Sequence, residues 1–441
     1  MNNSRAIIVV ENRDALRVAA SSARISTQQG TAMEIFERSL GDERDLKLID
    51  KVLSSGHKSV IEHQTFGVAF DNVSVLVEQF VIEARLASYT VKSRRYVDFS
   101  NAGCVRPANL EGELAELYDQ TMADRFGDYE KLMALGVPKE DARFVLPYSL
   151  RSNFFMTVNA RELIALVCAM LQGRGAGFGE IESLGTQLKT QFDARYPGVI
   201  DGELHRRAIS APMPLPTGLK TPWEGVGDAE LISAPADARG LLSAALAFSG
   251  RFGAGEGLTP ERVKSLLTDA RPRELEMLNY AFRIKGISLA CLTHFARHRI
   301  QSSVIPPVLT ALAGGRYVLP DSVRANPAAE SVYRGAFSAQ TDAAQRALSL
   351  GLSAQDAGYF AMSGHQLDIL MSMNARELLH FMKLRTCARA QWEIRGVAGR
   401  MLALLQEELP ELFGCYGASC RLGPCPEGKM SCGNPQPRAW P

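Results

Sequence analysis

The sequence predicts an α+β protein made of two tandem copies of one fold that pair as an intramolecular pseudo-dimer. Self-similarity is the first observation behind this. Residues 66–85 (FGVAFDNVSVLVEQFVIEAR) and 280–299 (YAFRIKGISLACLTHFARHR) share their apolar positions and a Val/Ile-Ser pair, at Val73-Ser74 and Ile287-Ser288. Each is followed by Arg-Tyr-Val, and farther on MTVNARELIALVCAML (156–171) matches MSMNARELLHFMKLRT (371–386). The offset is 214 residues at Arg85/Arg299 and 215 at Asn159/Asn374. Two distant anchors at nearly one offset mark a duplication.

The second observation is periodicity. Thr65 to Phe70 alternates as a strand does. Val73 to Arg85 and Ile287 to Arg299 carry apolar residues at helical spacing, and Glu113 to Leu135, Ala329 to Gly351 and the two NARE segments also read as helices. Helices and strands mixed without βαβ alternation place the fold in α+β, not in a doubly wound sheet. The third observation is a Pro/Gly-dense stretch at 209–240 with neither period, which reads as a connector. The expected organisation is a first copy at 1–208, the connector at 209–240, a second copy at 241–410 and a Cys-rich tail at 411–441.

Composition excludes several classes of function. The chain has 441 residues, 46% hydrophobic and 22% charged, with 49 basic against 48 acidic groups. A net charge of +1 and 7% aromatic residues speak against a nucleic-acid-coating surface. The longest purely apolar stretch, Leu163 to Leu171, is far short of the ~20 residues that cross a bilayer. The first ten residues lack the pattern of a secretory signal. A soluble, cytoplasmic protein with no nucleic-acid or membrane partner is expected.

Eight cysteines fall into two groups. Cys104, Cys168, Cys291 and Cys387 are scattered and read as small core residues, whereas Cys415, Cys420, Cys425 and Cys432 crowd the tail. Four thiolates could fold such a segment around a metal. Their spacing is not a CxxC pair, so reduced surface thiols or a stapled tail remain open beside a metal site.

Three motifs carry chemistry. GHKSVIEHQTF (56–66) holds His57, Ser59, Glu62 and His63, either a site or a polar helix end. EARLASYTVKSRRYV (83–97) interleaves Arg85, Lys92, Arg94 and Arg95 with Ser88, Thr90 and Ser93 on a helix-exit loop. Guanidinium forks beside hydroxyls suit a phosphomonoester, which needs several charge-assisted donors. A solvated basic loop is the bland alternative. In the second copy Arg297, His298 and Arg299 stand in a row followed by Ser302, and three consecutive side chains on a helix cannot all face one way.

Together HxSxxEHxxF, RHRxxS, SxRY, AR…LP and NAR…HFxxLRxxxxAQWEIR resemble the flavin-dependent thymidylate synthase family. The matching residues are His57, Ser59, Glu62, His63 and Phe66; Arg297 to Arg299 and Ser302; Ser88, Ser93, Arg95 and Tyr96. Ala142-Arg143, Leu146-Pro147, Asn374 to Arg376 and His380 to Arg395 continue the pattern, and the tail GPCPEGKMSCG is similar to the ending of longer members. The resemblance implies a homotetrameric enzyme that holds FAD, takes hydride from NADPH and moves the methylene of methylenetetrahydrofolate onto C5 of dUMP, giving dTMP. It further implies that His57, Ser59 and Glu62 line the flavin and folate region. Arg297, His298, Arg299, Ile300, Asn374, Arg376 and His380 would bind FAD. Arg85, Ser88, Ser93 and Arg95 would bind the nucleotide, and Arg143 and Arg385 would be the catalytic contacts to it.

Neither copy keeps the whole set. The first has Glu83-Ala84 where the second has Arg297-His298, and Met170 falls near the place of Arg385. The second has Arg271, Glu276 and Met277 in place of the HxSxxEH element, a rebuilt loop SSVIPPVLTALAGG, and Gly358 where the first has Arg143. The losses are complementary, so the expectation is a homodimer forming a pseudo-tetramer with one kind of composite site. Phe80 and His294 at a position where the family has Gln, and Thr90-Val91 in place of an Asn-Glu pair, leave two other readings open. One is a flavin enzyme for another pyrimidine nucleotide such as UMP, and the other is a non-catalytic binding relative.

Overall fold

The computed structural model describes residues 3–206, 218–250 and 257–440. Residues 209–217 of the expected connector lie outside them. The chain divides into two compact units, one made of residues 1–219 and 322–362 and the other of 220–321 and 363–441.

The first unit is built on an antiparallel sheet of β1 (Arg5–Glu11), β2 (Thr65–Ser74), β3 (Ala87–Val91) and β4 (Arg151–Asn159), in the order β1-β2-β4-β3. The second unit holds β5 (Trp223–Glu224), β6 (Asp228–Ser233), β7 (Asn279–Ser288), β8 (Gln301–Val304), β9 (Arg316–Tyr317) and β10 (Gln366–Asn374). Its main sheet has the order β6-β7-β10-β8, the topology of the first sheet repeated, and β5 pairs with β9 in parallel. Equivalent bulges fall at equivalent places. The β2–β4 register shifts beside Asn72, at φ 54°, and the β7–β10 register shifts beside Gly286, at φ 61°. A bulge residue in the left-handed region is readily supplied by Gly or Asn.

The repeated motifs turn out to be strand-to-helix junctions. Ser74 ends β2 and its hydroxyl accepts from the Val77 amide at 3.1 Å, while Ser288 ends β7 and accepts from Cys291 at 2.9 Å. Asn159 and Asn374 end β4 and β10 and cap the helices Ala160–Leu171 and Ala375–Arg385, each through a 2.9 Å bond from a Glu amide three residues on. Such caps satisfy orphan amides at a helix start. The edge strand β1 is covered by the helix Gly179–Asp193, whose Gln187 and Gln191 accept from the amides of Ala6 and Ile8 at 3.0 and 2.9 Å. An edge tied to side chains in this way is no longer a free template for pairing.

Two features differ from the sequence-based expectation. β6 lies inside the stretch expected to be only a connector, too short to show a period among prolines and glycines. The helices expected at 113–135 and 329–351 are observed as Gly112–Ala134 and Pro327–Ser349, but both belong to the first unit, where they pack together. There Arg125 bonds the carbonyl of Ala336, and Gln340 donates to the Phe360 carbonyl at 2.8 Å. The second copy thus lends a helix to the unit founded by the first. No helix among the described residues is long and apolar enough to cross a membrane.

Candidate active site

A cavity of about 600 Å³ opens in the second unit beside the start of the helix Ala375–Arg385. Its lining includes Ile300, Asn374, Arg376 and His380, four of the residues expected to meet the cofactor. Arg376, His380 and Lys383 stand at i, i+4 and i+7, on one helical face. The Oδ1 of Asn374 is committed to the Glu377 amide, so the donor it can offer a ligand is its NH2 group. Arg376 is ion-paired with Glu276, which also lines the cavity. Burial pushes the Lys383 amine below its ordinary pKa. A volume in the range of cofactor sites, with apolar Leu267, Leu379 and Ile300 beside three nitrogen bases and the carboxylates of Asp269, Glu276 and Glu377, suits a ligand with both flat aromatic and polar parts.

The Arg-His-Arg run follows the helix Leu289–Phe295 as a turn and does face two ways. Arg297, Arg299 and Ile300 are exposed, while His298 is buried. The Nδ1 of His298 lies 2.9 Å from Oε1 of Glu377, and its Nε2 lies 3.0 Å from Nε of Arg385. A guanidinium can only donate, so Nε2 accepts and Nδ1 carries the proton given to Glu377. Burial pushes the His298 pKa down against the pull of Glu377, and the Arg385 charge lowers it further. A neutral imidazole thus holds Arg385, which also donates to the His294 carbonyl at 3.2 Å.

In the first unit, the residues expected to hold a phosphate begin on β3 and run into the turn after it; the helix-exit loop is in part a strand. Ser88 lies exposed on this edge strand and Arg85 is exposed before it. Arg95 pairs with Glu140 at 2.5 Å, and the buried Arg143 donates to the Glu140 carbonyl at 3.0 Å, so these two cations meet around one residue. Ser93 accepts from the Arg95 amide at 3.3 Å. Arg94 is no solvated side chain: it is buried against Glu78 at 3.0 Å. His57 and Ser59 are exposed at a 3-10 turn, Lys58–His63, and Glu62 pairs with Arg161 at 2.5 Å.

The tail does not gather its thiols. None of the eight cysteines is in a disulfide, and no group of three or more His, Cys, Asp or Glu among the described residues is placed to hold a metal. Cys420 accepts from the Gln436 amide, and Cys415 and Cys432 approach the carbonyls of Glu411 and Asn434. Each of these three sulfurs is thus hydrogen-bonded to nearby backbone.

The family model described as thymidylate synthase complementing protein matches residues 8–198 and again 231–411. The chain belongs to this family. A flavin-dependent thymidylate synthase of Geobacter sulfurreducens is 40% identical over 162 residues, which are 36% of this chain and 70% of that protein. One from Nitratidesulfovibrio vulgaris is 35% identical over 184 residues, 39% of this chain and 74% of its own. The crystal structure of thymidylate synthase X from Helicobacter pylori with FAD and dUMP matches 46% of this chain and 99% of its own at 20% identity and a TM-score of 0.36, too loose for positions to be transferred.

As an enzyme of the flavin-dependent thymidylate synthase family, the chain carries the family match twice, once over each sheet. The two copies have diverged at the same places. Where the second has Arg297, the first has Glu83, paired with Arg174 at 2.7 Å, and Arg174 lies over the ring of Phe80, the counterpart of His294. An ion pair therefore takes the place of the exposed Arg-His-Arg turn. In the other direction, a Cβ on Gly358 would meet Cδ1 of Leu76 at 2.9 Å, so a counterpart of Arg143 there would require the Leu76 side chain to move. The pair Glu62–Arg161 has its equivalent in Glu276–Arg376, which shows that part of the HxSxxEH element survives in the second copy. Two lining residues, Lys383 and Glu276, were not among the sequence-based candidates. For Lys383 the signal was its helical spacing from Arg376 and His380.

Proposed function

We propose that the protein is an active flavin-dependent thymidylate synthase that converts dUMP to dTMP, with methylenetetrahydrofolate as carbon donor and NADPH as reductant. The observation that carries this reading is the cavity lined by Ile300, Asn374, Arg376 and His380, at one end of the helix whose other end presents Arg385 to His298. The residues fit FAD: Arg376 and Lys383 supply charge for its phosphates, and Asn374 and His380 supply neutral hydrogen-bonding groups. Bound there, FAD supplies the hydride chemistry, and the protein's share is binding, orientation and electrostatics.

Arg385 contacts the pyrimidine and stabilises charge that develops on its ring oxygens; the neutral His298 fixes its direction without adding a competing cation. Ser88, Ser93, Arg95 and Arg143 hold the nucleotide, with Arg95 exchanging Glu140 for phosphate oxygens. Arg85, Arg297, Arg299, His57, Ser59 and Glu62 complete the binding groups. Each copy supplies what the other has lost, so activity requires residues of both within a homodimer that acts as a pseudo-tetramer.

The test is a visible spectrum of the purified protein with and without added FAD, followed by titration of dUMP and of UMP at the flavin band. A response to dUMP supports the reading. A response to UMP alone favours the second reading, for which Thr90 and Val91 on β3 and Phe80 under Arg174 are the motivating departures. A protein that binds no flavin is a non-catalytic relative. Arg385→Ala and Ser88→Ala, each in its own chain, test the shared site: independent sites leave each variant half active, whereas one shared kind of site loses nearly all activity in either.

A further inference from the structure

The Cys-rich tail folds onto the end of the helix that presents Arg385. A helix leaves its last carbonyls without partners, and something must satisfy them. Thr386 bonds back to the Met382 carbonyl through its amide and through its hydroxyl, the latter at 2.8 Å. Two further bonds come from the tail. Ser419 donates from its hydroxyl to the Lys383 carbonyl at 3.4 Å, and Gln436 donates from Nε2 to the Thr386 carbonyl at 3.1 Å. These two carbonyls flank Arg385 in sequence.

Gln436 is anchored on every side. Its Oε1 accepts from the Ala418 amide at 3.0 Å, and its own amide donates to Sγ of Cys420 at 3.3 Å. From Ser431 to Arg438 it is the one residue that is not fully exposed. Arg421 holds the strand of tail around it, donating to the Pro437 carbonyl at 3.3 Å and accepting the Ala439 amide at 3.0 Å. Between Ser431 and Arg438 the tail therefore turns one residue inward, and its side-chain amide is spent on the carbonyl next to Arg385.

We propose that Gln436, assisted by Ser419, is a positioning residue for Arg385, so that the tail acts on nucleotide affinity more than on the part of the cofactor cavity formed by Asn374 and Arg376 at the helix start. This rests on the proposed role of Arg385 as a nucleotide contact. The hydrogen bond is worth roughly tenfold in an equilibrium of this kind.

The experiment compares Gln436→Ala and Gln436→Glu with the wild type, all full-length and loaded with FAD. Glutamate keeps the size but has no proton to give Thr386. Both variants are expected to raise the KM for dUMP about tenfold and to leave FAD affinity within about twofold. Amide hydrogen exchange across 380–387 is expected to quicken in both, with exchange in the helix Gly112–Ala134 unchanged. Wild-type exchange across 380–387, or quicker exchange with an unchanged KM for dUMP, would overturn the proposal. Should the wild type show no response to dUMP, the nucleotide reading fails, and the exchange data still decide whether Gln436 clamps the helix end.

Discussion

Nε2 of His298 accepts a hydrogen bond from Nε of Arg385 at 3.0 Å, and the other ring nitrogen gives its proton to the buried Glu377. One imidazole thus fixes a cation that sequence places 87 residues away. His298→Ala is expected to leave Glu377 without this donor and Arg385 without its guide. Stability should fall by about 3 kcal/mol, read as a lower thermal midpoint, and kcat/KM for dUMP by about a hundredfold.

Acid should act on the same bond. The His298 pKa lies below its ordinary 6.5, chiefly from burial and in part from the Arg385 charge, and Glu377 opposes the shift; His380 is the other titratable group beside it. Unfolded chains take up this proton first as pH falls, so the contribution to stability is present above about 6.5 and is lost as pH drops through the folded pKa. Protonation removes the lone pair that holds Arg385. The contribution of His298 to nucleotide affinity should therefore be lost as pH falls through its depressed folded pKa, and this component of the decline should be absent in His298→Ala.

The two serine junctions predict unequal costs. Ser288 accepts from the Cys291 amide and also donates to Glu393 at 2.5 Å, while the Ser74 hydroxyl caps Val77. Ser288→Ala should cost about 2 kcal/mol and Ser74→Ala about 1 kcal/mol. Urea unfolding of the two variants checks the order.

Arg174 offers a control for which copy is alive. It is half exposed and pairs with Glu83 in the place of the second copy's Arg-His-Arg turn. Arg174→Ala should cost less than about 1 kcal/mol and leave turnover within about twofold, whereas Arg385→Ala should abolish it. Equal losses in steady-state assays of the two would contradict the assignment.

The junctions were legible because a cap is a local device: Val73-Ser74, Ile287-Ser288 and the two NARE segments each announce a strand ending in a helix. The long helices were legible within two residues for the same reason of local periodicity. Less could be read where the partner is distant. Nothing near Arg94 in the sequence indicates that Glu78 will draw it into the core, and β6 was hidden because its pairing with β7 is nonlocal. In the tail the four cysteines stand out in the sequence, whereas Gln436, which bonds Ala418, Cys420 and Thr386, does not.

The helix Pro327–Ser349 has a practical consequence for anyone who would divide the gene. Cutting at the connector hands this helix to the wrong fragment. The fragment left with residues 1–208 would expose the apolar side of Gly112–Ala134, including Tyr118, Met122 and Tyr129, all now sealed from water. Its natural fate is aggregation or capture of a stray helix. The duplication, once fused, has in this way become irreversible: neither half can be inherited alone.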